Sequence, residues 1–115
     1  MKRKILQAEI YERQAEICAA LANPLRLMIL DLLAEEALTA TDLLQTLKIP
    51  KSNLSQHLKV LKTAGILKVR NEGLYQHLSL GIPEVKQACA LVRKVLASQM
   101  GQQAELAKAL KERTV

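Results

Sequence analysis

Hydrogen-bonding side chains dominate one side of a predicted helix at residues 51–64. Leu54, Leu58 and Leu61 follow the spacing of a buried helix face, and Gly65 is typical of a helix end. The other side carries Ser52, Asn53, Ser55, Gln56, Lys59 and Lys62. In a DNA major groove, Asn and Gln can pair with adenine edges, Ser with several bases, and Lys with guanine or phosphate. The predicted chemistry is base recognition, although a solvated helix surface has the same pattern.

The positive charge of the chain belongs to one segment. The net charge is +6, from 17 Lys and Arg against 11 Asp and Glu. Leu43–Asn71 holds six basic residues and no acidic one, which leaves 11 of each sign elsewhere. The six are Lys48, Lys51, Lys59, Lys62, Lys68 and Arg70. A local basic field in an otherwise neutral chain favours a polyanionic partner, and a solvated surface is the alternative.

Several classes of function receive no support. No Ser/His/Asp or Cys/His set lies in a catalytic motif and no Gly-rich phosphate loop is present, so we expect neither catalytic residues nor a cofactor. No apolar run approaches 18 residues, and Lys2, Arg3 and Lys4 are followed by polar residues, so we expect no membrane span and no secretory signal. Two cysteines do not make a disulfide framework, and we expect a reducing cytoplasm.

The elements that position the polar helix are mostly helical. Half of the residues are apolar, without Phe or Trp, which favours packed helices in a single domain over residues 1–115. We predict a first helix at 2–21, with one apolar stripe through Leu6, Ile10, Ile17 and Leu21. A second stripe runs through Tyr11, Ala15, Cys18 and Ala22. Asn23-Pro24 predicts the start of a second helix that runs to about Ala34. Thr39, with Asp42 three residues on, predicts the start of a third that ends near Leu47.

The pattern changes after Gly65. Leu67 and Val69 alternate with basic residues, Asn71-Glu72-Gly73 predicts a turn, and a second strand is expected from Leu74 to Leu80. Ile82-Pro83 predicts the start of a last helix with an apolar stripe through Val85, Cys89, Val92 and Leu96. The stripe continues weakly through Gln99, Gln103, Leu106 and Leu110, and Gly101 weakens the middle of the helix.

Two short helices around a Pro-containing turn, the second with a polar face, describe a helix-turn-helix. Asn23-Pro24-Leu25-Arg26-Leu27-Met28-Ile29-Leu30, Ser52-Asn53-Leu54-Ser55-Gln56-His57-Leu58-Lys59-Val60-Leu61 with Ala64-Gly65-Ile66-Leu67, and the Gly73–Leu80 strand resemble the ArsR/SmtB family of winged helix-turn-helix repressors. The resemblance covers about residues 10–100. It implies a mainly α fold with a small β-hairpin wing, as a cytoplasmic homodimer on double-stranded DNA.

The resemblance also implies roles for individual segments. Residues 1–22 and 82–113 would be the dimerisation helices, 39–64 the helix-turn-helix and 66–80 the wing. The recognition helix would present Lys51, Ser52, Asn53, Ser55, Gln56 and Lys59 to an operator inverted repeat. The wing would present Lys68, Arg70 and Asn71. His57 is either a further DNA contact or a half-buried packing residue. Lys48 and Lys62 are expected to be phosphate contacts or solvated charges, not base-reading residues.

The resemblance does not extend to the family's metal sites. The position of the Cys-x-Cys site holds Thr39-Ala40-Thr41, and a second site would fall on Ile82, Glu84, Val95 and Ser98, so we expect no metal there. Cys18 and Cys89 lie on the helices assigned to the dimer interface. They pack as small apolar residues, or form a disulfide or polysulfide switch for reactive sulfur or oxidants, or bind a metal or arsenical. The predicted function is a repressor released by an effector, with an effector-free DNA-binding module as the alternative.

Overall fold

The computed structural model describes residues 7–101 and 104–113. The chain divides into two compact units, Met1–Ile82 and Pro83–Val115. The first unit contains α1 (Ala8–Leu21), α2 (Pro24–Glu35), β1 (Leu38–Thr39), α3 (Ala40–Leu47), α4 (Lys51–Thr63), β2 (Leu67–Glu72) and β3 (Tyr75–Leu80). The second contains α5 (Glu84–Gln99) and α6 (Ala104–Arg113). The part of the first predicted helix at residues 2–6 lies outside the described residues.

A capped bend of 86° separates α1 from α2. Asn23 is extended, and its side-chain oxygen accepts hydrogen bonds from the backbone N–H groups of Leu25 (2.9 Å) and Arg26 (3.1 Å). Pro24 occupies the first helical position, where a missing N–H costs nothing. The predicted start of the second helix is therefore confirmed at Asn23.

Replacing Asn23 with Ala should lower the free energy of unfolding by about 1 kcal/mol, because two amides at the start of α2 lose their acceptor. The measurement is urea denaturation, monitored by circular dichroism, at fixed protein concentration. Asn23→Ser, which keeps an acceptor oxygen, is the matched control and should lose much less. Equal losses for the two variants would contradict a capping role.

The start of α3 combines a strand and a helix cap. The Thr39 hydroxyl accepts from the Asp42 N–H (3.1 Å), and the Asp42 carboxylate accepts from the Thr39 N–H (3.0 Å), which forms a capping box. Hydrogen bonds from the Thr39 backbone and side chain hold the pKa of Asp42 below its ordinary 3.8, with a smaller contribution from His77. This stabilisation is therefore present above pH 3.8 and is lost as the pH falls through the lowered pKa.

A three-stranded antiparallel sheet has the order β1-β3-β2. Leu78 in the central strand lies opposite Leu38 of β1 and Val69 of β2. The sequence did not predict β1, because a two-residue strand has no alternation to detect. Helices α2 and α3 contact β3, and α4 contacts β2. The core of this unit is aliphatic, and its fully buried side chains are Ile29, Leu43, Leu54, Leu61, Ile66 and Leu78.

The hairpin turn lies later in the chain than predicted. Glu72 pairs with Tyr75, so the turn consists of Gly73 and Leu74, while Asn71 and Glu72 belong to β2. Gly73 has φ +61° and is the first of the two turn residues, which is the pattern of a type II′ turn. Leu74, which the sequence placed in the second strand, is 99% exposed at the tip.

The C-terminal segment forms two helices, where the sequence predicted one weakened helix. Helix α5 ends at Gln99, Met100 is its C-cap, and α6 begins at Ala104, while Gln103 lies outside the described residues. The predicted apolar stripe of α5 is buried at Val85, half-buried at Cys89 and exposed at Val92 and Leu96.

Among the described residues, no single helix is long and apolar enough to cross a membrane, although α1 and α2 taken together as a bent pair meet that criterion of length and composition.

Candidate nucleic-acid interface

The turn between α3 and α4 sets the direction of α4. Lys48 ends α3 in the left-handed region (φ 55°, ψ 47°), and its N–H donates to the Leu44 carbonyl (2.9 Å). Pro50 precedes α4 with φ −60°, and its carbonyl accepts from the Leu54 N–H (3.2 Å). A left-handed residue followed by Ile49-Pro50 connects the two helices in a turn of three residues. The two helices and this turn form the predicted helix-turn-helix.

The end of α4 is fixed by Gly65 at φ +78°. The Gly65 N–H donates to the Lys62 carbonyl and the Ile66 N–H to the Leu61 carbonyl, both at 3.0 Å, which is a Schellman motif. The expected helix stop at Gly65 is confirmed. Ile66 is buried directly after it, so the end of α4 is held by the core.

Helix α4 presents a mainly polar surface to solvent. Leu54 and Leu61 are buried and Leu58 is half-buried, which leaves the opposite side in solvent. We call that side the α4 polar face, and it comprises Lys51, Ser52, Asn53, Ser55, Gln56, Lys59 and Lys62, all exposed. The sequence predicted a wholly polar face, but Val60 interrupts it: its side chain is 40% exposed beside Gln56. Thr63 is also exposed there, and the sequence analysis missed it as a candidate contact.

His57 lies at the edge of this face and is half-buried. Its Nδ1 is 3.2 Å from Nη1 of Arg26, the third residue of α2. The Arg26 guanidinium also donates to two carbonyls at the end of α1, from Nε to Ala20 (2.6 Å) and from Nη2 to Ala19 (3.2 Å). Arg26 therefore joins the ends of α1 and α2 to α4. The sequence contained no signal for this contact, because Arg26 and His57 are 31 residues apart.

The wing brings further polar groups to the first unit. Lys68 and Arg70 lie exposed on one side of β2, and Asn71 lies exposed on the other. The register places Gln76 opposite Asn71, so two amides face the same side near the tip. Gln76 is thus a candidate contact that the sequence analysis missed.

An acidic residue limits the charge of the wing. Glu72 lies 3.1 Å from Arg70 and 3.8 Å from the His77 ring, with Arg70 and Glu72 both mostly exposed. Exposed ion pairs contribute little to stability, so Arg70 can exchange Glu72 for another anion at low cost.

All six basic residues of the segment from Leu43 to Asn71 are exposed. They are distributed over the end of α3, both ends of α4 and the outer side of β2. A surface that combines these charges with amide and hydroxyl groups has the two components of DNA binding, namely phosphate contacts and base-edge contacts.

The two cysteines lie in different units. Cys18 is exposed on α1, and Cys89 is half-buried on α5. Thr39 and Asp42 form the capping box at the position where the resemblance would place a cysteine site. Across residues 7–101 and 104–113, no three His, Cys, Asp or Glu side chains gather in a metal-binding arrangement.

Comparisons with known proteins agree with this arrangement. A family model for a helix-turn-helix domain matches residues 21–70. An uncharacterized HTH-type transcriptional regulator of Methanocaldococcus jannaschii is 42% identical over 85 residues, which are 73% of this chain and 96% of that protein. The transcriptional repressor PagR of Bacillus anthracis is 34% identical over 85 residues, 73% of this chain and 85% of that protein.

A solved structure shares the fold over most of the chain. It is a homodimeric winged helix-turn-helix DNA-binding domain of Mycobacterium bovis, described as a possible ArsR-family transcriptional regulator. Its TM-score is 0.73 at 29% identity, with 86% of this chain and 91% of that chain covered. The three-stranded wing, the capped helix-turn-helix and these relatives show that the chain belongs to the ArsR/SmtB family of winged helix-turn-helix transcriptional regulators.

Proposed function

We propose that this protein is a homodimeric repressor that binds an operator inverted repeat through the α4 polar face and the wing. The observation that carries the proposal is the α4 polar face, where amides, hydroxyls and lysines lie exposed on a helix that is anchored by buried Leu54 and Leu61. A helix of this size and polarity fits a major groove. The repressor of Bacillus anthracis among its relatives supports the direction of regulation.

The roles of individual residues follow from their chemistry. Gln56 and Asn53 are the candidates for bidentate contacts with adenine, and Ser52 and Ser55 for shorter contacts with base edges. Lys51, Lys59 and Lys62 are the candidates for phosphate contacts that release counterions. Lys68, Arg70 and Asn71 extend the contact from the wing.

A dimer is supported by apolar surface that each unit leaves exposed. Helix α1 exposes Ile10, Tyr11 and Ile17. Helix α5 exposes Leu91, Val92, Val95 and Leu96, which share one side of the helix. Adjacent exposed apolar side chains usually mark an interface, and a second copy of the chain would cover both surfaces symmetrically. The related Mycobacterium bovis domain is described as homodimeric.

The first test is selection of a duplex from a random-sequence library, followed by fluorescence anisotropy. Gln56→Ala should weaken binding to the selected duplex about tenfold and relax the preference at one base pair. Lys59→Ala should weaken binding to all duplexes and reduce the slope of log Kd against log salt by about one.

Lys94→Ala on α5 is the matched control, because Lys94 is exposed outside the α4 polar face and the wing. It should leave the slope unchanged. The selection could also yield no preferred sequence, with unrelated DNA displacing the labelled duplex equally well. That result would indicate a DNA-binding module without sequence selectivity.

We further propose that an effector acts through the thiols of Cys18 and Cys89. Exposure of Cys18 supports access of a reagent to at least one thiol. A disulfide or polysulfide bridge within the dimer would change the separation of the two α4 helices. Metal or arsenical binding by the same thiols is the alternative, and in an effector-free regulator both cysteines serve packing alone.

Anisotropy with reduced protein and with polysulfide-treated protein separates these cases. A thiol switch should weaken binding to the selected duplex at least tenfold on treatment, and both Cys18→Ala and Cys89→Ala should abolish the response. Arsenite or Zn²⁺ in place of polysulfide tests the alternative. A response that persists in both alanine variants would contradict a role for these thiols.

A further inference from the structure

The Arg26 guanidinium is held in place before it reaches α4. Helix α1 ends at Leu21, so the Ala19 and Ala20 carbonyls lie in its last turn, where carbonyls lack the usual helical partner. Arg26 donates to both of them from Nη2 and Nε. This leaves Nη1 directed at Nδ1 of His57 at 3.2 Å. The orientation of the guanidinium is therefore set by α1, independently of His57.

This contact determines which ring nitrogen of His57 carries the proton. An arginine side chain has five N–H donors and no acceptor, so it can approach Nδ1 at hydrogen-bond distance only if Nδ1 offers its lone pair. In the neutral ring the single N–H then lies on Nε2. Arg26 thus selects one of the two tautomers of His57.

The remaining N–H of His57 is accessible. In the part of the chain that the structure describes, every buried side-chain nitrogen or oxygen has a hydrogen-bond partner. The hydrogen bond of half-buried His57 to Arg26 uses Nδ1, and Nε2 has no hydrogen-bond partner among the described residues. Since a buried nitrogen would have one, Nε2 reaches solvent. His57 lies one helical turn after Asn53 and next to Gln56, at the border between the buried side of α4 and its polar face.

We propose that Arg26 is a positioning residue for DNA binding: through Nδ1 it fixes His57 as a neutral Nε2–H donor to a phosphate oxygen of the operator backbone. The proposal rests on the proposed function of the α4 polar face. A phosphate is the expected acceptor because residues at the border of a helix in the major groove face its sugar-phosphate wall, whereas the centre of the exposed side faces the bases. Arg26 also links the end of α1 to the recognition helix.

The tautomer is tested first in the free protein. Ring ¹⁵N shifts and long-range nitrogen–proton couplings at pH 8 should identify His57 as protonated at Nε2 and unprotonated at Nδ1. In Arg26→Met, which removes the donors and keeps an apolar stem, this preference should be lost. A wild-type ring protonated at Nδ1, or an unchanged tautomer in Arg26→Met, would overturn the assignment. Arg26→Leu, which also removes the donors, replaces Arg26→Met if that variant does not fold.

The effect on binding is tested with a double-mutant cycle on the selected duplex. His57→Phe and Arg26→Met should each weaken binding about tenfold. If Arg26 acts through His57, the double variant should also be about tenfold weaker, because the second change has nothing left to remove. Losses that multiply to about a hundredfold would show that the two residues act separately, and an unchanged affinity of His57→Phe would exclude the phosphate contact.

Two further readouts identify the chemistry of the contact. A neutral donor releases no counterion, so His57→Phe should keep the wild-type salt slope, in contrast to Lys59→Ala. A single methylphosphonate at the contacted position should weaken wild-type binding and leave His57→Phe unaffected. A salt slope that falls by about one in His57→Phe would mean that His57 binds as a cation. If wild type shows no preference for the selected duplex, the proposed function itself fails, whereas the tautomer result stands independently.

Discussion

Val92→Glu is expected to dissociate the dimer and to weaken binding to the selected duplex at least a hundredfold. Val92 is 68% exposed in the protomer and lies between Leu91, Val95 and Leu96 on the apolar side of α5. If that side is covered by a second copy, a carboxylate would have to be buried without a partner, which costs several kcal/mol. A monomer also loses the gain of roughly 10²–10⁴ in affinity that comes from binding two linked half-sites.

Sedimentation equilibrium should show a monomer for Val92→Glu at protein concentrations where wild type is a dimer. Lys86→Gln is the matched control, because it lowers the charge by the same one unit at an exposed position on another side of α5. The control should stay dimeric and bind normally. A dimeric Val92→Glu with wild-type affinity would place the dimer interface elsewhere.

Local signals in the sequence predicted most of the helix-turn-helix correctly. Asn23, Thr39 and Gly65 each define a helix end through hydrogen bonds to residues two to four positions away, and such contacts can be recognised from spacing alone. The polar face of α4 followed from a helical period that its buried leucines confirm. These predictions succeeded because their causes lie within one turn of the chain.

Contacts between distant segments could not be predicted in this way. Strand β1 exists because Leu38 and Thr39 pair with β3, which begins 36 residues later in the chain. The Arg26–His57 contact joins α2 to α4 across 31 residues. Lys48 adopts a conformation that usually favours Gly or Asn, so residue type did not indicate the left-handed end of α3. In each case tertiary packing outweighs the local preference.

The wing turn shows how a local signal can mislead. Asn71-Glu72-Gly73 has the composition of a turn, yet Asn71 and Glu72 complete β2. Pairing of Leu67 with Leu80 and of Val69 with Leu78 fixes the register from the buried end of the hairpin. Only Gly73 and Leu74 then remain to connect the strands. Burial at the base of the wing therefore decides where its tip lies.

The same burial predicts a large difference between two leucines of this hairpin. Leu78→Ala should lower the free energy of unfolding by about 3 kcal/mol and the melting temperature by roughly 15 °C, since Leu78 is fully buried in the central strand. Its removal leaves a cavity among Leu38, Val69 and the helices that contact β3. Thermal and urea denaturation at one fixed protein concentration would measure both quantities.

Leu74→Ala is the matched control, with the same change of side chain at a position that is 99% exposed. It should change the free energy of unfolding by less than about 0.5 kcal/mol. A loss for Leu74→Ala comparable to that for Leu78→Ala would mean that the tip of the wing is buried in the assembled protein. A small loss for both would contradict the central position of β3. A large loss at Leu78 with a small loss at Leu74 would indicate that the wing is held in place by burial at its base, where β2, the strand of Lys68 and Arg70, contacts α4.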